Sequence, residues 1–350
     1  MRRIALDVGP ARVRPSGVTT YVRELALALE ALAPDRVVRI GARRPLTGRS
    51  YLAWIVTQAD QEARAAGCDL AHYTNAVAPI GSRVPFVLTI HDLSVIRMPR
   101  LHPASRLLLV PLLLRAARNA RLVIVPSRAT AAEVQRLLHV PAERLAVIPH
   151  AARTLPRSTA AESVLAGLGV QPGRYIVALG TLEPRKNGTR LLAAFEGLAS
   201  EDSGLKLLFV GRNGWGNTRF FRALARSSAR SSVVLAGDQP DASLAVLLSS
   251  CAVMAYPSLY EGFGLPVLEA MASNAPVVTS LSSSLAEVAG GAAVLVDPTD
   301  VSSIADGLRE AMARGDVLRR AGLERAASRS WLDVGRETLE AYDRALANPA

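Results

Sequence analysis

Three features of the sequence predict an α/β protein of two domains, each built on a parallel sheet buried on both faces. Short apolar, branched runs recur along the chain, and each is followed by a helical pattern. The runs are nearly continuous rather than alternating, the pattern of strands covered on both faces. They fall into two series separated by a stretch without such a run. Strand–helix alternation calls for right-handed crossovers and hence parallel strands, and 350 residues suit about two domains.

The first series runs RIALDV, RVVRIGA, DLAHYT, PFVLTIHD, RLVIVPS and LAVIPH. The second runs RYIVALG, LKLLFVG, SSVVLAG, VMAYPS, APVVTS and AAVLVD. Between them, AARTLPRSTAAESVLAGLGVQPG holds Pro156, Pro172 and Gly173 and marks a linker. The predicted layout is an N-terminal domain over 1–158, a linker over 159–173, a second domain over 174–330 and a C-terminal helix over 331–350. That helix, SWLDVGRETLEAYDRAL, is amphipathic, with Trp331, Val334, Leu339 and Tyr342 available to pack back on the first domain. Both domains are then Rossmann-like and face a central cleft, with ligands expected at the carboxyl ends of the strands.

The net charge is +11, almost all of it from arginine, since Lys186 and Lys206 are the only lysines. With abundant alanine this reads as a compositional habit, and no zinc finger or aromatic RNA-binding signature accompanies it, so no nucleic-acid partner is expected. LLLVPLLL at Leu107 to Leu114 falls short of the ~18 residues of a spanning helix. Asp7 and Pro10 interrupt any apolar leader after MRRIAL, so a cytoplasmic protein is expected. Cys68 and Cys251 form neither a disulfide framework nor a metal set. No D-x-D, H-E-x-x-H or Cys/His cluster appears, so neither metal nor cofactor is expected.

The stretch YEGFGLPVLEAMA carries the chemistry. It follows the run VMAYPS, and LPVLEAMAS reads as a helix with Pro266 in its first turn. Gly262 and Gly264 therefore occupy a strand-to-helix turn, where bare backbone lets a ligand approach. The free N–H groups and positive dipole end of the helix suit a phosphate. Glu261 and Glu269 flank this site and would repel phosphate alone. They make sense if the ligand also offers hydroxyls, since a carboxylate accepts two hydrogen bonds from a diol. The order suits a sugar diphosphate. Taken singly, Glu269 could merely complement the helix dipole and Glu261 could be a solvated loop residue.

EGFGLPVLE resembles the E-x7-E motif of retaining glycosyltransferases of the GT-B fold, above all family 4, and the resemblance covers nearly the whole chain. GTLEPRKN resembles that family's basic donor-phosphate loop, and FVGRNGW and VLAGDQP resemble the strand ends that flank the nucleotide. VPSRATAAEV, AVIPH and SWLDVGRETLEAY also fit. The resemblance implies an N-terminal acceptor domain and a C-terminal domain for a nucleoside diphosphate sugar donor. Glu269 would bind the ribose hydroxyls and Glu261 the transferred sugar. The backbone of Gly262, Phe263 and Gly264, with Leu265 and Gly211, would line the sugar diphosphate. It further implies front-face transfer, the acceptor hydroxyl hydrogen-bonded to the departing phosphate.

In GTLEPRKN, Arg185 and Lys186 are placed to neutralise a diphosphate leaving group, with Glu183 orienting them; a solvated charged turn is the plain alternative. Many relatives carry an arginine where this chain has Thr181, which the resemblance places at the donor; either Arg185 takes over part of that arginine's role or the donor geometry differs. Gly17, in PSGVTTYVREL, stands at a helix entrance; the resemblance brings it near donor phosphate or acceptor, and a simple helix start is the alternative. His91 ends the strand PFVLTIHDL, where relatives often hold a histidine beside the donor sugar; a hydrogen-bonded strand-end histidine with Asp92 as helix cap is the other reading. His150 replaces the family's usual Asn-Gly at the linker entry.

The expected activity is transfer of a hexose, first mannose from GDP-mannose, to a glycan, lipid-linked or small-molecule acceptor. The nearest resemblance is to bacterial mannosyltransferases of surface-polysaccharide assembly. A sugar-nucleotide epimerase of the same architecture and a non-catalytic two-domain sugar-binding protein are the rivals. The latter calls for a signal peptide and has no use for paired glutamates. Between Asp92 and Glu133 the chain has no acid but carries Arg97, Arg100, Arg106, Arg115, Arg118, Arg121 and Arg128. With Leu107 to Leu114 this segment could lie peripherally on anionic lipid at the inner face of the membrane, or be an ordinary buried helix face with solvated arginines.

Overall fold

The computed structural model describes residues 2–13, 16–41, 47–156 and 160–347. The expected domain boundary at 158/159 lies outside them. The chain forms two compact units: Met1–Pro99 with Ala104–Ala151 and Ser330–Ala350, and Arg100–Pro103 with Ala152–Arg329.

In the first unit, β1 (Ile4–Asp7), β2 (Val37–Ile40), β3 (Leu70–Tyr73), β4 (Phe86–Thr89), β5 (Leu122–Val125) and β6 (Leu145–Val147) form one sheet in the order β2-β1-β3-β4-β5-β6. All its pairs are parallel. Every residue of β1, β3, β4 and β5 is buried, as the unbroken apolar runs require. The helix Gly17–Leu32 starts at Ser16, whose hydroxyl accepts from the Thr19 amide at 3.3 Å. Its buried face includes Tyr21, Val22, Leu25 and Leu29.

The helix Trp331–Ala347 packs on that helix. Gly335 permits the approach, since a Cβ there would lie 2.9 Å from Leu32 and 3.1 Å from the Ala28 Cβ. A buried polar chain crosses the same layer. Tyr21 and His72 Nε2 meet the Thr89 hydroxyl at 3.0 and 2.7 Å, and His72 Nδ1 lies 2.8 Å from the Tyr342 hydroxyl. Burial holds His72 neutral, its pKa pushed down to about 3. His150 is packed in this unit against Tyr21 and Trp331, with ring centroids at 4.6 and 5.9 Å.

The segment rich in leucine and arginine divides its roles. In the helix Val110–Asn119, Leu113, Ala116 and Ala117 are buried. Leu107 and Leu108, just before it, are 36% and 77% exposed, and Arg106, Arg115 and Arg118 are exposed beside them in sequence.

In the second unit, β7 (Tyr175–Leu179), β8 (Lys206–Val210), β9 (Val233–Gly237), β10 (Val253–Tyr256), β11 (Val277–Ser280) and β12 (Val294–Val296) form a second sheet ordered β12-β11-β10-β7-β8-β9, again parallel throughout. The order reverses between β7 and β10. In open α/β sheets the crevice at that switch, outside the strands' carboxyl ends, is where ligands bind. The strand-free stretch ahead of β7 contains a short helix, Ala161–Gly167, with Leu165 and Val170 buried. Lys206 fastens this stretch, its Nζ donating to the Gly169 carbonyl at 2.6 Å.

Candidate active site

The loops leaving β7 and β10, the two strands at the switch, hold most of the residues singled out in the sequence. The loop after β10 runs into the helix Leu265–Ala272, with Pro266 in its first turn. Gly264 caps this helix at φ +120°, and a Cβ there would lie 2.6 Å from Leu285. Glycine is thus required both by the backbone and by the space. The turn after β11 pins the loop from behind. Ser280 donates to the Ser258 carbonyl at 2.6 Å, Ser284 to the carbonyls of Glu261 and Phe263 at 2.8 and 2.9 Å, and the Glu261 amide to Ser283 Oγ at 3.2 Å.

The loop after β7 passes Gly180 and Thr181 and tightens into a single turn at Pro184–Lys186. Asn187 then takes the left-handed conformation, φ +63°, ahead of the helix Gly188–Glu201. Its buried amide donates to the carbonyls of Pro257 and Pro298 at 3.0 and 2.6 Å. The Leu259 amide donates to the Arg185 carbonyl at 2.9 Å. The two loops are therefore one hydrogen-bonded unit. Gly211 closes it from the β8 side: a Cβ there, at φ +134°, would overlap the Gly180 carbonyl. Thr181, Lys186 and Tyr256 line a cavity at this end of the sheet, with Gly180, Phe209 and Ala255.

Where the loops meet, Glu261 lies between two cations. Lys186 Nζ is 2.7 Å from Oε1 and Arg185 Nη1 is 2.7 Å from Oε2. Arg185 also donates to Glu183 at 2.7 Å and to the Tyr260 carbonyl at 2.8 Å. Lys186 donates to the Tyr256 hydroxyl and stands 4.5 Å from that ring's centre. Burial by itself would raise the Glu261 pKa, but Arg185 and Lys186 outweigh it and hold the carboxyl at about 2. Burial and Arg185 shift Lys186 downward against the pull of Glu261. Two cations and two carboxylates balance, so the cluster has low net charge although it can direct two positive groups at a ligand.

Glu269 stands one turn into the helix, 7% exposed. Its carboxylate meets Arg153, Nε to Oε1 at 2.5 Å, while both terminal nitrogens of Arg153 reach Asp241 at 2.6 and 3.0 Å. Burial would lower the Arg153 pKa; Asp241 and Glu269 more than offset this and raise it.

The structure thus brings together Thr181, Arg185, Lys186, Gly211, Glu261, Gly262, Phe263, Gly264, Leu265 and Glu269 at one end of one sheet. Gly17 and His91 belong to the other unit. Gly17 opens its helix at the surface. His91 Nε2 donates to the Thr74 carbonyl at 2.9 Å, and burial lowers its pKa. Asp92 Oδ1 accepts from the Ser94 amide at 2.9 Å and from its hydroxyl at 2.7 Å, but the cap position of the short helix Ser94–Arg97 is Leu93, one residue later than the sequence suggests. Arg153, Asn187 and Ser284 escaped the sequence reading, since no local pattern points at their distant partners. Among the described residues, no three His, Cys, Asp or Glu side chains gather as a metal would need, and no helix is long and apolar enough to cross a membrane.

Comparison with known proteins agrees with this architecture. A family model described as Glycosyl transferases group 1 matches residues 168–328, and one described as Glycosyltransferase Family 4 matches 15–154. The O-antigen chain mannosyltransferase B of Escherichia coli is 33% identical over 264 residues, covering 73% of this chain and 69% of that protein. The MMP alpha-(1->4)-mannosyltransferase of Mycolicibacterium hassiacum is 42% identical over 120 residues, 31% of this chain and 28% of that protein. Among solved structures, a sucrose-phosphate synthase from Thermosynechococcus elongatus superposes with a TM-score of 0.76 at 22% identity, covering 99% of this chain and 100% of that one. Anabaena HepE in complex with UDP and glucose gives 0.75 at 20% identity, covering 98% and 100%. The chain belongs to glycosyltransferase family 4 and has its two-domain GT-B fold.

Proposed function

We propose that this glycosyltransferase moves a hexose, first mannose from GDP-mannose, to a glycan, lipid-linked or small-molecule acceptor with retention at the anomeric carbon. The observation that carries the reading is the ionised Glu261 held between Arg185 and Lys186 on a glycine loop that opens a helix. In this reading the diphosphate lies along Gly262–Gly264, where amides and the helix dipole favour anionic oxygens. Arg185 and Lys186 take up the charge that grows on the leaving phosphate as the anomeric C–O bond breaks. The acceptor oxygen bonds to the same carbon, and its proton passes to the departing phosphate. Glu261 orders the two cations and accepts from the sugar hydroxyls, and Glu269 accepts from the ribose diol.

Mannose is favoured by the mannosyltransferase relatives; the nucleotide of the donor is a proposal on the same ground. His91 and Gly17 keep the roles the family resemblance implies, at the donor sugar and at phosphate or acceptor, and kinetics of His91→Ala test the first. The reaction needs no metal in this scheme, so it should survive EDTA, and strict dependence on manganese would contradict it. The acceptor is presented at the inner face of the membrane, with Leu107, Leu108 and the arginines around them on anionic lipid. Mass spectrometry after incubation with a panel of nucleotide sugars tests the whole reading. Glycosyl transfer supports it, and an epimerised nucleotide sugar without acceptor consumption would favour the epimerase.

A further inference from the structure

Arg153, in the stretch between the two sheets, meets Glu269 of the helix that follows the carboxylate loop, and its contacts have a definite direction. The terminal nitrogens form a two-pronged fork on Asp241, at 2.6 and 3.0 Å, which sets the plane of the guanidinium. The remaining Nε then points at Glu269 Oε1 at 2.5 Å. Asp241, 45% exposed at its side chain, is an anchor near water, whereas the Glu269 side chain is only 9% exposed. An exposed ion pair adds little energy, but it can fix geometry. A buried carboxylate, by contrast, needs a cation to remain charged and in one rotamer. Asp241 therefore holds Arg153, and Arg153 holds Glu269.

We infer that Arg153 is a positioning residue for nucleotide binding: it fixes the Glu269 carboxylate as an ionised, oriented acceptor for the ribose hydroxyls. The inference rests on the reading of Glu269 given above. A structure in which Arg153 simply blocked Glu269 would have the opposite consequence, because removing the block would tighten binding. The sign of the effect therefore decides between the two.

The experiment is calorimetric titration of the full chain with GDP and with UDP, and with the 2′,3′-dideoxy form of whichever binds. Arg153→Ala should weaken binding of the ribonucleotide at least tenfold. Arg153→Lys, which keeps the charge and loses the fork, should recover only part of this. Asp241→Asn, which leaves Glu269 and Arg153 in place and changes only an exposed side chain, should weaken binding several-fold in the wild-type background and have no effect once Arg153 is alanine. With the dideoxy nucleotide the Arg153 penalty should vanish, as would not happen if the side chain served the fold alone. Unchanged or tighter ribonucleotide binding in Arg153→Ala, or an equal penalty for the dideoxy form, overturns the inference. Glu269→Ala separates the two levels. If it weakens ribonucleotide binding while Arg153→Ala does not, only the positioning role fails. If Glu269→Ala binds as the wild type does, the ribose reading falls and takes this inference with it.

Discussion

Replacing Glu261 with glutamine keeps the size of the side chain and removes the charge that Arg185 and Lys186 share. A carboxyl held at about 2 instead of its ordinary 4.5 contributes on the order of 3 kcal/mol of stability at neutral pH, at ~1.4 kcal/mol per pH unit. Breaking one side of a buried ion pair costs about the same. Glu261→Gln should therefore lower the thermal midpoint by roughly 6–12 °C, taking ~2–4 °C per kcal/mol for a unit of this size. The pH dependence has a fixed sign. Because the folded pKa is depressed, the stabilisation is complete above the unfolded value of about 4.5 and is lost as pH falls toward 2. The gap between wild type and variant should shrink from about 3 kcal/mol at pH 7 to about 2 kcal/mol at pH 3.5. Urea titrations at both pH values measure it. In the same variant GDP should bind no more weakly, since its two cations are released, while turnover falls at least tenfold. Equal stability at pH 7, or a gap that ignores pH, would refute the argument that Glu261 is ionised by its neighbours.

Four further outcomes follow from the same geometry. Lys186→Ala should slow transfer at least tenfold, losing about 2–4 kcal/mol at the transition state, with the fold kept by the surviving Arg185–Glu261 pair; full activity by donor kinetics would rule the role out. Ser284→Ala leaves two loop carbonyls without their buried donor, and should cost about 1–3 kcal/mol in denaturant titrations while lowering turnover. Gly211→Ala combines φ +134° with an overlap on Gly180, so it should destabilise by more than ~1 kcal/mol and expose the second sheet in hydrogen exchange. Sedimentation with vesicles should show binding that rises with anionic lipid, falls with salt, and weakens when Arg106, Arg115 and Arg118 become glutamine, at ~1 kcal/mol per charge; indifference to anionic vesicles at low salt would end the membrane proposal.

The inner strands were legible because burial on both faces leaves an unbroken apolar run; the edge strands β2, β6, β9 and β12 are only partly buried yet keep apolar runs, and every run noted in the sequence coincides with a strand of the two sheets. The carboxylate loop was legible because its glycines, proline and acids are contiguous and each answers to a local demand. What stayed hidden depends on partners far along the chain. Arg153 meets Glu269 across 116 residues, and Asn187 reaches Pro298 across 111. Neither shows a spacing or a periodicity, and Arg153 lies in a stretch that reads as linker. Ser284 sits in a serine run that looks like any loop, until its hydroxyl is seen between two carbonyls of the glutamate loop. The balance of charge at Glu261 was hidden in the same way: the sequence shows two cations and an acid, and only the fold shows them touching.

The measurement closest to the central claim is the product formed from GDP-mannose and a mannose-terminated acceptor, with its anomeric configuration read by NMR, for wild type and for Lys186→Ala. The account predicts an α-linked mannosyl product from the α-configured donor, formed by the wild type and at least tenfold more slowly by the variant. A β-linked product, or equal rates in the two proteins, would contradict it.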